Sequence, residues 1–129
     1  MKRSLVFLLL LSVAALFTTS CKDDDDNSNP ANLIIGSWKM VSYVATECVD
    51  PTENGTETCS TSCEVTIVTK DTVTFEGETP ESYTIDGNKI TIGTGSGAYT
   101  YEFSVTETTL IISYKETGYC KVVVTMKKV

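Results

Sequence analysis

The sequence predicts an all-β domain, a small up-and-down antiparallel barrel of about eight strands. Three observations carry this. From Leu33 onward Thr, Val, Ile and Tyr dominate, and these residue types suit a pleated, half-buried surface. Apolar and polar residues alternate through the C-terminal half, and no window carries a helical stripe. Connections are short, so successive strands pair as hairpins, and eight such strands can close on themselves and remove their edges. A two-sheet sandwich normally needs longer crossings.

Taken in order, the expected strands are 36–49, 64–69, 72–76, 81–86, 88–93, 98–105, 108–115 and 118–128. Gly36-Ser37-Trp38 opens the first, with Trp38 and Met40 on one face and Val41 and Tyr43 on the other. Residues 50–62 are polar and read as a loop, in which Asn54-Gly55-Thr56 is a turn. The run 64–69 alternates weakly, as a strand or a short helical turn, and Lys70-Asp71 breaks it. Val73 and Phe75 share a face of the next strand. Tyr83-Thr84-Ile85 mirrors Ile90-Thr91-Ile92 around Asp86-Gly87-Asn88-Lys89. Pairing Ile85 with Ile90 leaves Gly87-Asn88 as a two-residue primed turn. Gly93 to Gly97 is a hairpin tip, since no Lys-Thr or helix follows to make it a phosphate cradle. Tyr99, Tyr101, Phe103 and Val105 line one face, as do Leu110, Ile112 and Tyr114, then Cys120, Val122, Val124 and Met126.

The first 20 residues have a different organisation. Lys2 and Arg3 precede an apolar run from Leu5 to Phe17, broken only by Ser12, and Thr18, Thr19 and Ser20 follow. These are the three parts of a cleaved secretory signal. A spanning helix needs about 20 apolar residues, more than this run supplies. Cleavage before Cys21 leaves 8 basic and 17 acidic residues, a net charge of −9. That balance disfavours nucleic acid, whose phosphates require Lys and Arg, and charge-driven adhesion to anionic lipid. The chain has no histidine, which removes the commonest metal ligand, the usual general base and every His-dependent catalytic triad. Glu78 and Glu81 are turn charges, and no catalytic residue and no cofactor is expected.

Thr18-Thr19-Ser20-Cys21 resembles the lipobox of bacterial lipoproteins, with Thr18 in place of the usual Leu and Ser20 in place of Gly or Ala. The resemblance implies that Cys21 carries diacylglycerol and that its new amine takes a further acyl chain such as palmitate. Two or more chains give stable anchoring where one does not. The bottom-up alternative for Cys21 is an ordinary secreted cysteine bound for a disulfide. Lys22 and Asp23 to Asp26 resemble the surface-export tag of lipoproteins in certain Gram-negative bacteria. This implies an outer-membrane lipid anchor with the domain displayed at the cell surface. Like charges also extend a spacer. The expected organisation is signal 1–20, lipidated acidic tether 21–32, flexible through Asn27 to Asn32, and barrel 33–129.

Gly36-x-Trp38, the Asp86-Gly87-Asn88 hairpin, the run Thr106-Glu107-Thr108-Thr109-Leu110 and the basic last strand resemble the bacterial lipocalin-like lipoproteins over most of 33–129. The resemblance implies that Trp38 closes the barrel floor beneath Lys127 or Lys128 by cation–π contact. If the first and last strands pair so, Cys48 falls near Gly118 to Cys120. A Cys48–Cys120 bridge would then stitch the seam and leave Cys59 to pair with Cys63. Four cysteines allow three pairings, and a tetrathiolate zinc site is the alternative, although only Cys59-x-x-x-Cys63 has close spacing.

Two functions of different class stay open. A carrier would hold a small apolar or amphipathic molecule, or a glycan, within an interior lined by Trp38, Phe75, Tyr83, Tyr99, Tyr101 and Phe103. A non-catalytic protein-interaction module would fill its core with those rings, and would use loops or an exposed apolar patch.

Overall fold

The computed structural model describes residues 28–115 and 118–129. The expected signal, Cys21 and the aspartate run therefore lie outside the described residues.

Among the described residues, nine strands and one α-helical turn follow in order, with 3-10 turns at Pro51–Glu53 and Gly95–Gly97. The α-helical turn and the strands are α1 (Pro30–Leu33), β1 (Gly36–Thr46), β2 (Gly55–Thr58), β3 (Val65–Val68), β4 (Thr72–Thr74), β5 (Glu81–Asp86), β6 (Lys89–Ile92), β7 (Tyr99–Val105), β8 (Thr109–Lys115) and β9 (Lys121–Lys128). From β3 to β9 each strand pairs antiparallel with the next. β1 pairs with β3 on one side and with β9 on the other, and this shuts the eight-stranded barrel. The closing ladder runs from Trp38 opposite Lys128 to Thr46 opposite Lys121.

Three features depart from the sequence reading. The first is a β-bulge in β1. Met40 faces Met126 and Ser42 faces Thr125, so Val41 is the extra residue. A bulge shifts the alternation by one residue. Tyr43 therefore joins the inward face of Trp38 and Met40, opposite Val124, instead of leaving it with Val41. The second is β2, which lies in the stretch expected to be loop. Its residues Gly55-Thr56-Glu57-Thr58 are all exposed, so no alternation could mark it. It pairs with Ser42 to Ala45, on the β1 edge that β3 occupies lower down. β2 and β3 are thus two parts of one edge, interrupted by an excursion between Cys59 and Glu64. Cys59 N–H donates to the Val41 carbonyl at 3.0 Å, and Met40 N–H to that of Glu64 at 2.9 Å. The third is α1. Asn29 accepts from Ala31 N–H and Pro30 stands in the first turn, so the end of the expected flexible tether is a capped helical turn.

The hairpin turns follow their residues. At Asp86–Lys89 only Gly87 of the two central residues has positive φ, at 59°, which is the II′ rather than the I′ pattern. Two turns at the Trp38 end share one device. Thr69 Oγ1 accepts from Asp71 and Thr72 N–H, and Thr106 Oγ1 from Thr108 and Thr109 N–H. The threonine hydroxyl supplies a local partner for amides that leave the ladder.

The core fills the Trp38 end. Ile34, Trp38, Ile90 and Leu110 are fully buried, with Val68, Val73 and Phe103 around them. No helix of the described residues is long and apolar enough to cross a membrane.

Candidate functional site

The barrel has a sealed floor and an open mouth, and sequence position decides which residues serve each. At the floor, the Trp38 indole N–H donates to the Ile34 carbonyl at 2.7 Å, so α1 is tied beneath the first strand. Lys128 Nζ lies 5.1 Å from the Trp38 ring centre, within cation–π range. Gly36, with φ of 145°, is where the lysine crosses. A Cβ there would meet Lys128 Cε at 2.7 Å. The lysine's flexible end could shift from such a Cβ, so it is chiefly the positive φ that favours glycine at position 36, and its missing side chain leaves room for the cation that covers Trp38. Of the two lysines expected over the ring, Lys128 takes the place, while Lys127 Nζ donates to Thr109 Oγ1 at 2.6 Å.

Above this floor the inward rows stop filling the interior. A cavity of about 260 Å³ opens between them. Its wall is mainly aromatic and aliphatic: Tyr43, Phe75, Tyr101 and Tyr114 are the rings, and Met40, Ile92, Ile112, Val124 and Met126 the aliphatic positions. Thr66, the single buried polar residue among those described, and Glu64 complete it. Glu64 is exposed and marks the rim.

The wall is split on one side. β7 and β8 pair only from Glu102 to Val105 with Ser113 to Leu110. Above that, Tyr99 to Tyr101 stay with β6, and Ser113 to Lys115 stay with β9. Tyr101 and Tyr114, where the next ladder pair would fall, fill the gap edge-to-face, with centroids 5.3 Å apart and planes at 73°. The same two rings border an outer cleft of about 400 Å³, lined also by Lys89, Lys115 and Lys121, Glu47 and Glu102. Lys115 is ion-paired to Glu47 there. That hydrogen bond and charge hold the Glu47 carboxyl below its ordinary 4.5.

Both expected disulfides are present, Cys48–Cys120 and Cys59–Cys63. The first ties the end of β1 to the start of β9 at the mouth. The second clips the excursion between β2 and β3, with Cys63 buried beneath it. A carboxylate of Glu53 approaches the sulfurs of Cys48 and Cys120, but these are bonded to each other, so no thiolate remains for a metal.

Of the six aromatic residues expected to line an interior site, Phe75 and Tyr101 do line the cavity. Trp38 and Phe103 are in the packed floor instead. Tyr83 packs against the core and donates its hydroxyl to the Thr69 carbonyl at 2.8 Å. Tyr99 is 63% exposed, because β7 has already passed the rim when it reaches it. Sequence reasoning missed Tyr43, hidden by the bulge, and Glu64, assigned to a weak strand without a face. Tyr114 stood on a recognised inward row, and position along that row was the signal that placed it at the mouth. No family model, curated protein or solved structure matches the chain.

Proposed function

We propose that this chain is a lipid-anchored binding protein of a bacterial outer membrane, moored through Cys21 and displayed at the cell surface. Its barrel receives one small apolar or amphipathic molecule. The role is binding, without a chemical step. The observation that carries it is the apolar cavity left open above a fully packed floor. Binding sites are concave and mostly apolar, with a few polar groups that fix orientation. An apolar cavity of about 150 Å³ accepts benzene. The volume here therefore suits a single ring with a short substituent, below the size of a fatty acid or a sterol.

A second reading is supported by a separate observation. Val49, Tyr99 and Tyr119 are large, exposed and all on segments at the mouth. Exposed apolar side chains on the mouth segments favour a protein-interaction module, accessory to a surface assembly. Native mass spectrometry of the delipidated protein from its own host separates the two. A co-purifying molecule of small mass supports the carrier; an empty barrel with a bound protein supports the module. The anchor is tested in the same sample, since a mature N-terminus at Cys21 without added acyl mass refutes it.

A further inference from the structure

The charge on the cavity wall is of one sign. Among the described residues its only ionisable side chain outside the tyrosines is Glu64, and none of the described lysines contributes to it. Among the described residues the Glu64 carboxylate has no ion-pair partner. The same wall carries four aromatic rings, Tyr43, Phe75, Tyr101 and Tyr114. A ring face attracts a cation within about 6 Å, and aromatic cages are the common device for substituted ammonium groups. The lysines of the region, Lys89, Lys115 and Lys121, line the outer cleft, on the far side of the Tyr101–Tyr114 pair.

Glu64 is also held in place. It ends the excursion that the Cys59–Cys63 bridge clips, and its carbonyl accepts from Met40 N–H, one strand across. Four residues of detour in the β2–β3 edge thus deliver a carboxylate to the rim of an otherwise uncharged cup.

We infer that the ligand is a small organic cation: an amine or quaternary ammonium on a compact apolar body, its charge between the rings and Glu64. This deepens the carrier reading above and rests on it. A neutral molecule of the same shape would gain the apolar contact alone. An anion would meet the Glu64 carboxylate unfavourably.

The test uses the purified full chain and three probes sharing one body: 2-phenylethylammonium, 2-phenylethanol and 3-phenylpropanoate, each titrated calorimetrically. The expected order is amine over alcohol by about tenfold, with the carboxylate weakest. Glu64→Gln, at an exposed position, should bring the amine to within about threefold of the alcohol, with the larger loss falling on the amine. Tyr43→Leu should weaken the amine more than the alcohol, which separates the ring contribution from the carboxylate. If the amine binds no better than the alcohol, or Glu64→Gln lowers both equally, the cation inference is overturned while the carrier reading survives. If the anion binds best, the outer lysines govern recognition and the inference is wrong. If no probe binds at millimolar concentration, the inference and the carrier reading fall together.

Discussion

The floor and the mouth of this barrel are built on the same strands by the same alternation, and they differ in what stands between the rows. At the floor, a residue from outside the barrel, Ile34, is drawn under Trp38 by a 2.7 Å hydrogen bond, and both side chains are fully buried. At the mouth the rows carry rings that are half-buried or, at Tyr114, exposed, and a cavity of about 260 Å³ remains. Side-chain size therefore does not decide where the hole is. What decides is whether a plug arrives from a neighbouring segment. α1 brings one to the floor; at the mouth the described segments are joined to each other by Cys48–Cys120 and Cys59–Cys63.

The largest effect should come from breaking the floor. Trp38→Ala removes a fully buried ring, its bond to Ile34 and the surface under Lys128. It should cost about 3–5 kcal/mol in urea unfolding. Tyr43→Ala, two turns of the pleat higher, should cost about 1–1.5 kcal/mol, because its ring is only half-buried. Equal losses at the two positions would mean that the cup is packed as the floor is.

The two disulfides come next. Cys48–Cys120 closes a sequence separation of 72 residues and Cys59–Cys63 one of 4. In the chain-entropy model the double substitution Cys48→Ser with Cys120→Ser costs about 4 kcal/mol, and Cys59→Ser with Cys63→Ser about 2 kcal/mol. The long bridge carries stability because it secures the seam. The short one chiefly fixes local geometry, so its loss should show more in exchange of the Met40 amide than in the unfolding midpoint.

These contrasts bear on what the sequence made legible. The barrel and its hairpins followed from alternation and short turns. The closure of Trp38 beneath Lys127 or Lys128, and the disulfide pairing built on it, came instead from the resemblance of Gly36-x-Trp38 and the basic last strand to lipocalin-like proteins, and the structure selects Lys128. The cup did not follow. Its location depends on Val41 being an extra residue, and nothing in Lys-Met-Val-Ser-Tyr marks one position as a bulge. It depends on β2, whose four exposed residues carry no apolar signature because neither of their faces is covered. It depends also on where each row crosses the rim. Alternation gives a residue's face but not its height, so Tyr99 and Phe103, on one row, end at opposite extremes of exposure.

Overpacking sharpens the comparison at smaller scale. Val124→Phe adds volume to the cavity wall and Val68→Phe adds the same volume to the floor. The floor variant should lose about 1–3 kcal/mol, the usual cost of forcing bulk into a packed core. The cup variant should lose less than about 1 kcal/mol, since its ring enters existing space. It should also abolish probe binding.

The smallest effects lie in the pH dependence, where the two ends should respond to opposite extremes. At the mouth, the hydrogen bond and charge of Lys115 depress the Glu47 carboxyl below 4.5. A depressed folded-state value contributes stability that is present above 4.5 and lost as pH falls through the folded value. Glu47 and Lys115 are both exposed, so the contribution is slight and screened by salt. Near the floor, burial raises the Tyr83 hydroxyl above its ordinary 10.0, and the charge of Asp71 adds to the shift. A raised value here means that the fold favours the neutral phenol, which donates to the Thr69 carbonyl. That stability is present below pH 10.0 and lost as pH rises through the folded value. Residue-resolved amide exchange should therefore show the β1–β9 mouth opening first in acid and the 69–72 turn opening first in alkali. Glu47→Gln should flatten only the acid response and Tyr83→Phe only the alkaline one. If either substitution altered both, the two ends would open as one unit, and the division between packed floor and open mouth would be structural without being energetic.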